Sequence, residues 1–138
     1  MKHLQATSHS VLLAATAAAT AVRTANLDLL GVDYATVVVG FGAELNTNST
    51  NVAIQFSESD DTVATNFATF DSSANYTVDN TAATIAVTHL DPRSRKRYVR
   101  LTVTPATTTN DVVISYANAI TTKELAEADA SKTNTVVL

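Results

Sequence analysis

The sequence contains no cysteine and no tryptophan, one methionine, two prolines and three glycines in 138 residues, with only four tyrosines and four phenylalanines. Without cysteine there are no disulfides, thiolate metal sites or cysteine nucleophiles. Without tryptophan, and with so few other rings, the chain lacks material for a sugar-stacking platform or a base-stacking surface. Three glycines are too few for the turns of a β-rich chain, so most bends have to be made by Asn, Asp and Ser. Only 16% of the residues are charged and the formal net charge is −4, which gives the molecule as a whole no electrostatic footprint for nucleic acid. Long apolar runs are missing too. The alanine-rich stretch 11–22 is diluted by Thr16 and Thr20, and it falls short of the roughly 20 predominantly apolar residues that a membrane span needs. It also lies far from Lys2, a poor match to a secretory signal, so no membrane association is expected and synthesis is read as cytoplasmic.

What the chain does have is alanine, threonine and valine, together about 45% of it, a bias that favours pleated sheet. Its length fits one domain, and folding at this size buries about two-thirds of the unfolded surface. Short β-branched runs recur at 35–43, 52–57, 83–90, 97–104 and 111–120, with weaker ones at 10–16, 21–29, 67–70 and 75–78. Val52, Ile54 and Phe56 alternate with Asn51, Gln55 and Ser57, and Val99, Leu101 and Val103 with Arg100, Thr102 and Thr104, as in half-buried strands. The separators are polar turns: the loop 44–51, Ser59-Asp60-Asp61, Asp79-Asn80 and Asp91-Pro92. Gly40 and Gly42, flanking Phe41 inside one run, mark a bulge or a close backbone approach.

The expected fold is all-β: an antiparallel β-sandwich, jelly-roll-like, with a core over 21–120, an N-terminal arm over 1–20 and a C-terminal tail over 121–138. A closed barrel satisfies the same strand count. Val37, Val39, Val52, Ile54, Phe56, Val87, Val99, Leu101, Val103, Val112 and Ile114 are the expected buried set. Residues 122–132 combine good helix formers with one large apolar side chain, Leu125, which reads as a marginal helix or a tail.

Chemistry finds little foothold. His3, His9 and His89 lie far apart, and His89 with Asp91 is too sparse for a metal site. Glu58, Asp60 and Asp61 concentrate negative charge at a turn, but the calcium-loop spacing and its glycine are missing, so the reading is a solvated hairpin tip with aspartates bonded to backbone amides. Gly40-Phe41-Gly42 is no phosphate loop, and no nucleophile elbow occurs. No catalytic, metal or cofactor residues are assigned, and no enzyme is expected. The basic run is different: Arg93, Arg95, Lys96, Arg97 and Arg100 put five of the nine cations within eight residues. A nucleic-acid patch in an acidic chain could make only a few phosphate contacts. A solvated sheet edge and a protein interface are the stronger readings, the interface leading because arginine forms bidentate pairs with carboxylates. Val136, Val137 and Leu138 end a polar stretch with an apolar one, a tether followed by a hook for a neighbour, or else an edge strand of the chain's own fold.

These residues also carry a resemblance. The segment NVAIQFSESDD ending at Asp61, the aromatic stretch 67–70, the segment RKRYVRLTVT from Arg95 to Thr104 and the strand from Asp111 resemble a group of small proteins encoded near the major capsid protein of tailed bacteriophages. In that group a strand ending in an S-D-D turn precedes an aromatic, and a basic K-R-Y-x-R strand enters the penultimate hairpin. The similarity covers residues 29–121. It implies a capsid cement or decoration subunit on the outer surface of the virion, made in the host cytoplasm, commonly trimeric and binding the major capsid protein, with the basic run and the apolar tail as interface residues. Two other classes stay open: a carbohydrate- or receptor-binding module of a phage fibre, and a secreted adhesin-like or pilin-like subunit.

Overall fold

Alternation of β-branched and polar residues, with turn formers between the runs, produces nine strands among the residues that the computed structural model describes, 6–19, 22–42, 50–78, 84–105 and 112–123. They are β1 (Ala6–Leu13), β2 (Thr16–Ala19), β3 (Arg23–Asp28), β4 (Tyr34–Phe41), β5 (Thr50–Ser59), β6 (Ala68–Val78), β7 (Thr84–Leu90), β8 (Tyr98–Pro105) and β9 (Val112–Lys123). Every pairing is antiparallel. The first sheet runs β1-β9-β4-β7, with β2 continuing the line of β1 along the other half of β9; the second runs β3-β8-β5-β6. The chain is all-β, two antiparallel sheets packed face to face, and the barrel alternative is not what forms.

The two inner faces supply the core. Val37, Val39 and Phe41 of β4, Ile114, Ala117 and Ala119 of β9, Val52, Ile54 and Phe56 of β5, and Val99, Leu101 and Val103 of β8 are all buried. Their close-packed, mostly β-branched side chains are the interdigitating layer that holds the sheets together. Of the expected buried set, Val87 is the exception, 48% exposed. Cross-strand neighbours share a face, and β7 pairs Leu90 with Ala35, Thr88 with Val37 and Ala86 with Val39. Since Ala35, Val37 and Val39 point inward, Ala86 and Leu90 are buried and Ile85, Val87 and His89 turn outward. The Val112 side chain lies outside the described residues.

The sandwich extends past the boundary expected at residue 20. The segment read as an N-terminal arm contains β1 and β2, both laid along β9, from Ala6↔Lys123 to Ala19↔Val112. The bare edge of β9 offers unpaired backbone groups, and a Thr- and Ala-rich segment can satisfy them without a strong apolar pattern of its own. The weak runs 67–70 and 75–78 fuse into β6, which shifts register twice against β5. Thr122 and Lys123, placed at the start of a marginal helix by their sequence, belong to β9; 124–138 lie outside the described residues. Among the described residues no helix is long and apolar enough to cross a membrane.

The Gly40-Phe41-Gly42 reading resolves into both of its parts. Tyr116 pairs with Gly40 and Ile114 with Phe41, so Ser115 is an extra residue on β9. A Cβ on Gly40 would meet the Tyr116 ring at 2.5 Å. The ring therefore lies over the bare glycine, a packing that any larger residue at 40 displaces.

Burial predicts stability. Ile54→Ala and Leu101→Ala are each expected to cost about 2–5 kcal/mol, while Val87→Thr on the outer face is expected to stay within about 0.5 kcal/mol. Urea unfolding of the three variants checks this; equal losses at all three would reverse the assignment of faces.

A candidate interaction surface at one end of the sandwich

Register places three loops at one end. Asp28 and Ser59 both sit beside Tyr98, Glu58 beside Ala68, and Ala35 beside Leu90, so loops 29–33, 60–67 and 91–97 lie together. Each is closed by an aspartate whose carboxylate accepts the backbone N–H two residues on: Leu30 to Asp28 at 2.9 Å, Val63 to Asp61 at 2.9 Å and Arg93 to Asp91 at 3.1 Å. This is how a glycine-poor chain turns. One glycine helps: Gly31, at φ 68°, takes the left-handed backbone that the first turn needs.

The basic run enters β8 through this end, and Arg95, Lys96 and Arg97 meet carboxylates of their own chain. Arg97 Nε and Nη2 bond to the two Asp28 oxygens at 3.1 and 2.9 Å, a bidentate pair joining β3 to β8. Glu58, whose side chain is 18% exposed, accepts the Lys96 backbone N–H at 3.2 Å and Arg95 Nη1 at 3.5 Å. Lys96 Nζ lies 3.2 Å from Asp60. Arg100 donates to Asn26 Oδ1 at 2.9 Å and to the Ala64 carbonyl at 3.2 Å. Arg93 is exposed, its backbone N–H capping the Asp91 turn. The run is thus brought to one place, and Glu58, Asp60 and Asp28 of the same chain supply the carboxylates for Arg95, Lys96 and Arg97.

Aromatic rings form the second half of the arrangement. Arg95 lies 4.3 Å over Phe70, which stacks on the core residue Phe56, Arg97 lies 4.8 Å over Tyr98, and Arg100 lies 3.7 Å over Phe67. Contacts of this kind contribute roughly 0.5–1 kcal/mol at exposed sites and more where the cation is partly buried, as Arg100 is. Their larger effect is to fix planar guanidinium groups on a rigid sheet. The Asp28 bonds hold the Arg97 charge above its ordinary affinity for the proton. Asp61 is held below the usual carboxylate value, chiefly by the Asn66 amide at 2.8 Å and then by the Val63 N–H. Ser59, buried beside it, donates to the same carboxylate at 3.3 Å. The acidic tip is therefore the hydrogen-bonded Asx turn read from the sequence.

His89 Nδ1 is 3.1 Å from Thr36 Oγ1 and its ring stacks on Tyr34 at 5.8 Å, on the outer face of the first sheet. Among the described residues no three His, Asp or Glu side chains gather as a metal-holding group. Val136, Val137 and Leu138 lie outside the described residues. The sequence reading missed Asp28, Glu58, Phe67 and Phe70 as partners of the arginines; only the crowding of cations beside a strand start was visible. No protein-family model matches the chain, and no curated protein is detectably similar to it.

Asp61 gives a pH dependence with a definite sign. Its folded-state pKa is depressed, so its stabilisation is complete above the ordinary value of 3.8 and is lost as pH falls through the lower folded value. Asp61→Ala is expected to melt below the wild type at neutral pH, with the gap closing in strong acid. Thermal melts across the acid range read the effect; a gap that widens on acidification contradicts the assignment.

Proposed function

We propose that this chain is a structural virion protein, a cement or decoration subunit that binds the outer surface of a phage head and bridges major capsid proteins. The observation that carries the reading is the strand order. With β1 and β2 counted as one position, the eight positions alternate between sheets except for the β5–β6 hairpin, giving 1-8-3-6 opposite 2-7-4-5. We read that order as a jelly roll, an architecture used by viral capsid and lectin domains. The sequence resemblance supports the same reading from separate residues, and function is inferred here from architecture together with that resemblance.

The proposed role uses the features of the ordered end. A cement subunit gains its hold from many weak contacts repeated around a symmetric shell. It requires a rigid scaffold and ordered donors, which the sandwich and the stacked Arg95, Arg97 and Arg100 supply. Arg93 and Lys96 add charge at the rim of the same surface. The subunit acts as a homo-oligomer, a trimer on the resemblance, with the polar 124–132 as tether and 133–138, ending in Val136, Val137 and Leu138, as hook.

Mass spectrometry of purified virions from the phage that encodes the chain is expected to find it in fixed ratio to the major capsid protein, with cryo-electron microscopy placing it outside the shell. Its confinement to fibres, or its absence from heads, overturns the reading. Deletion of 134–138 is expected to leave the melting temperature of the isolated subunit unchanged and to weaken its binding to heads. A truncated subunit that melts several degrees lower and still decorates heads normally assigns the tail to its own fold.

A further inference from the structure

Among the described residues the first sheet ends on β7, which pairs with β4 alone. Its register is unbroken from Leu90↔Ala35 to Thr84↔Phe41. Alternate residues of these seven direct their N–H and C=O groups away from β4, and among the described residues no strand or backbone hydrogen bond reaches that side. The other described edges are blunted. β3 carries Arg23 and Asp28; β6 carries Asp71 and shifts register twice; β1 shifts register between Val11 and Leu13 and then gives way to the short β2. Charges, bulges and short strands are the devices that keep sheet edges from pairing. β7, reading TIAVTHL, has none of them, and it exposes Ile85 at 59% and Val87 at 48% on its outer face.

We propose that β7 pairs antiparallel with β7 of a second copy of this chain about a two-fold axis at Val87, joining two first sheets into one. The occupant follows from the edges themselves: among those described, the regular, uncharged, seven-residue match for β7 is another β7. Full overlap sets Val87 opposite its copy, Ile85 opposite His89, Ala86 opposite Thr88 and Thr84 opposite Leu90. No acid faces an acid across the ladder, although each chain carries a net charge of −4. The pairing satisfies the open backbone groups and covers the apolar stripe that Val87 shares with its neighbour Val38. Being isologous, it closes after two copies and does not propagate as a fibre. It stands independently of the proposed function.

The absence of cysteine makes the test clean, because V87C introduces the sole thiol. Directly opposed residues of an antiparallel ladder have Cα atoms about 4.5–5.5 Å apart, within disulfide reach. Under mild oxidation V87C is expected to form a covalent dimer at least tenfold faster than V11C, a site that is more exposed, at 73%, but lies on the opposite edge. In sedimentation equilibrium the wild type at high concentration is expected to have twice the mass of V87K, with both giving the same far-UV circular dichroism. Cross-linking of V87C no faster than V11C, or equal masses for wild type and V87K, overturns the proposal. A V87C thiol that resists alkylation without cross-linking assigns β7 to some other segment and overturns it too.

Discussion

The ordered end of the molecule rests on carboxylates that accept two kinds of donor at once. Asp28 takes a backbone N–H from its own turn and the Arg97 guanidinium from β8; Glu58 takes the Lys96 N–H and Arg95; Asp61 takes the Val63 N–H and the Asn66 amide. Asp28 and Glu58 tie their strands to the segment before β8, while Asp61 closes its own loop. A chain with three glycines has few left-handed positions to spend on bends, so side-chain acceptors replace backbone freedom, and the acceptors are charged. The arginines then follow the acids. At Asp28 the atoms that close the turn also position the Arg97 guanidinium, which makes turn geometry and surface electrostatics one property there.

Much of the fold was legible in the sequence because β5 and β8 keep one phase. Val52, Ile54 and Phe56, and likewise Val99, Leu101 and Val103, leave no doubt about which face is apolar, and all six are buried. β7 is ambiguous by the same rule, since Ile85 and Val87 occupy one phase and Ala86 and Leu90 the other. Size favours the wrong choice. The decision is made by β4, whose inward Val37 and Val39 set Thr88 and Ala86 beside them, and a pairing between strands more than forty residues apart is invisible to local periodicity. β1 and β2 escaped for a related reason: they are strands by virtue of the edge of β9 that they cover.

The candidate surface was half legible. Five cations in eight residues announce a site, and the Asx turn at Ser59-Asp60-Asp61 is readable from residue type alone. The partners were not readable, because Arg97 and Asp28 are separated by 69 positions and Arg95 and Glu58 by 37. Proximity created by topology assigns those carboxylates to the chain's own fold, where composition had left them free for a neighbour. Phe67 and Phe70 gain their role in the same way, as platforms reached by arginines from a different hairpin.

The pairing of β1 with β9 bears on how the protein is made. Ala6 leaves the ribosome well before its ladder partner Lys123, so β1 waits until the residues up to β9 have been made before it can dock. β4 waits as well, with one side of its backbone unpaired until β9 arrives. Such non-local closure is slow and leaves sticky strand surfaces uncovered meanwhile. A nascent chain stalled before β9 therefore holds both halves of the first sheet apart and is a natural substrate for holdase chaperones. Completion of the first sheet is timed by the emergence of β9.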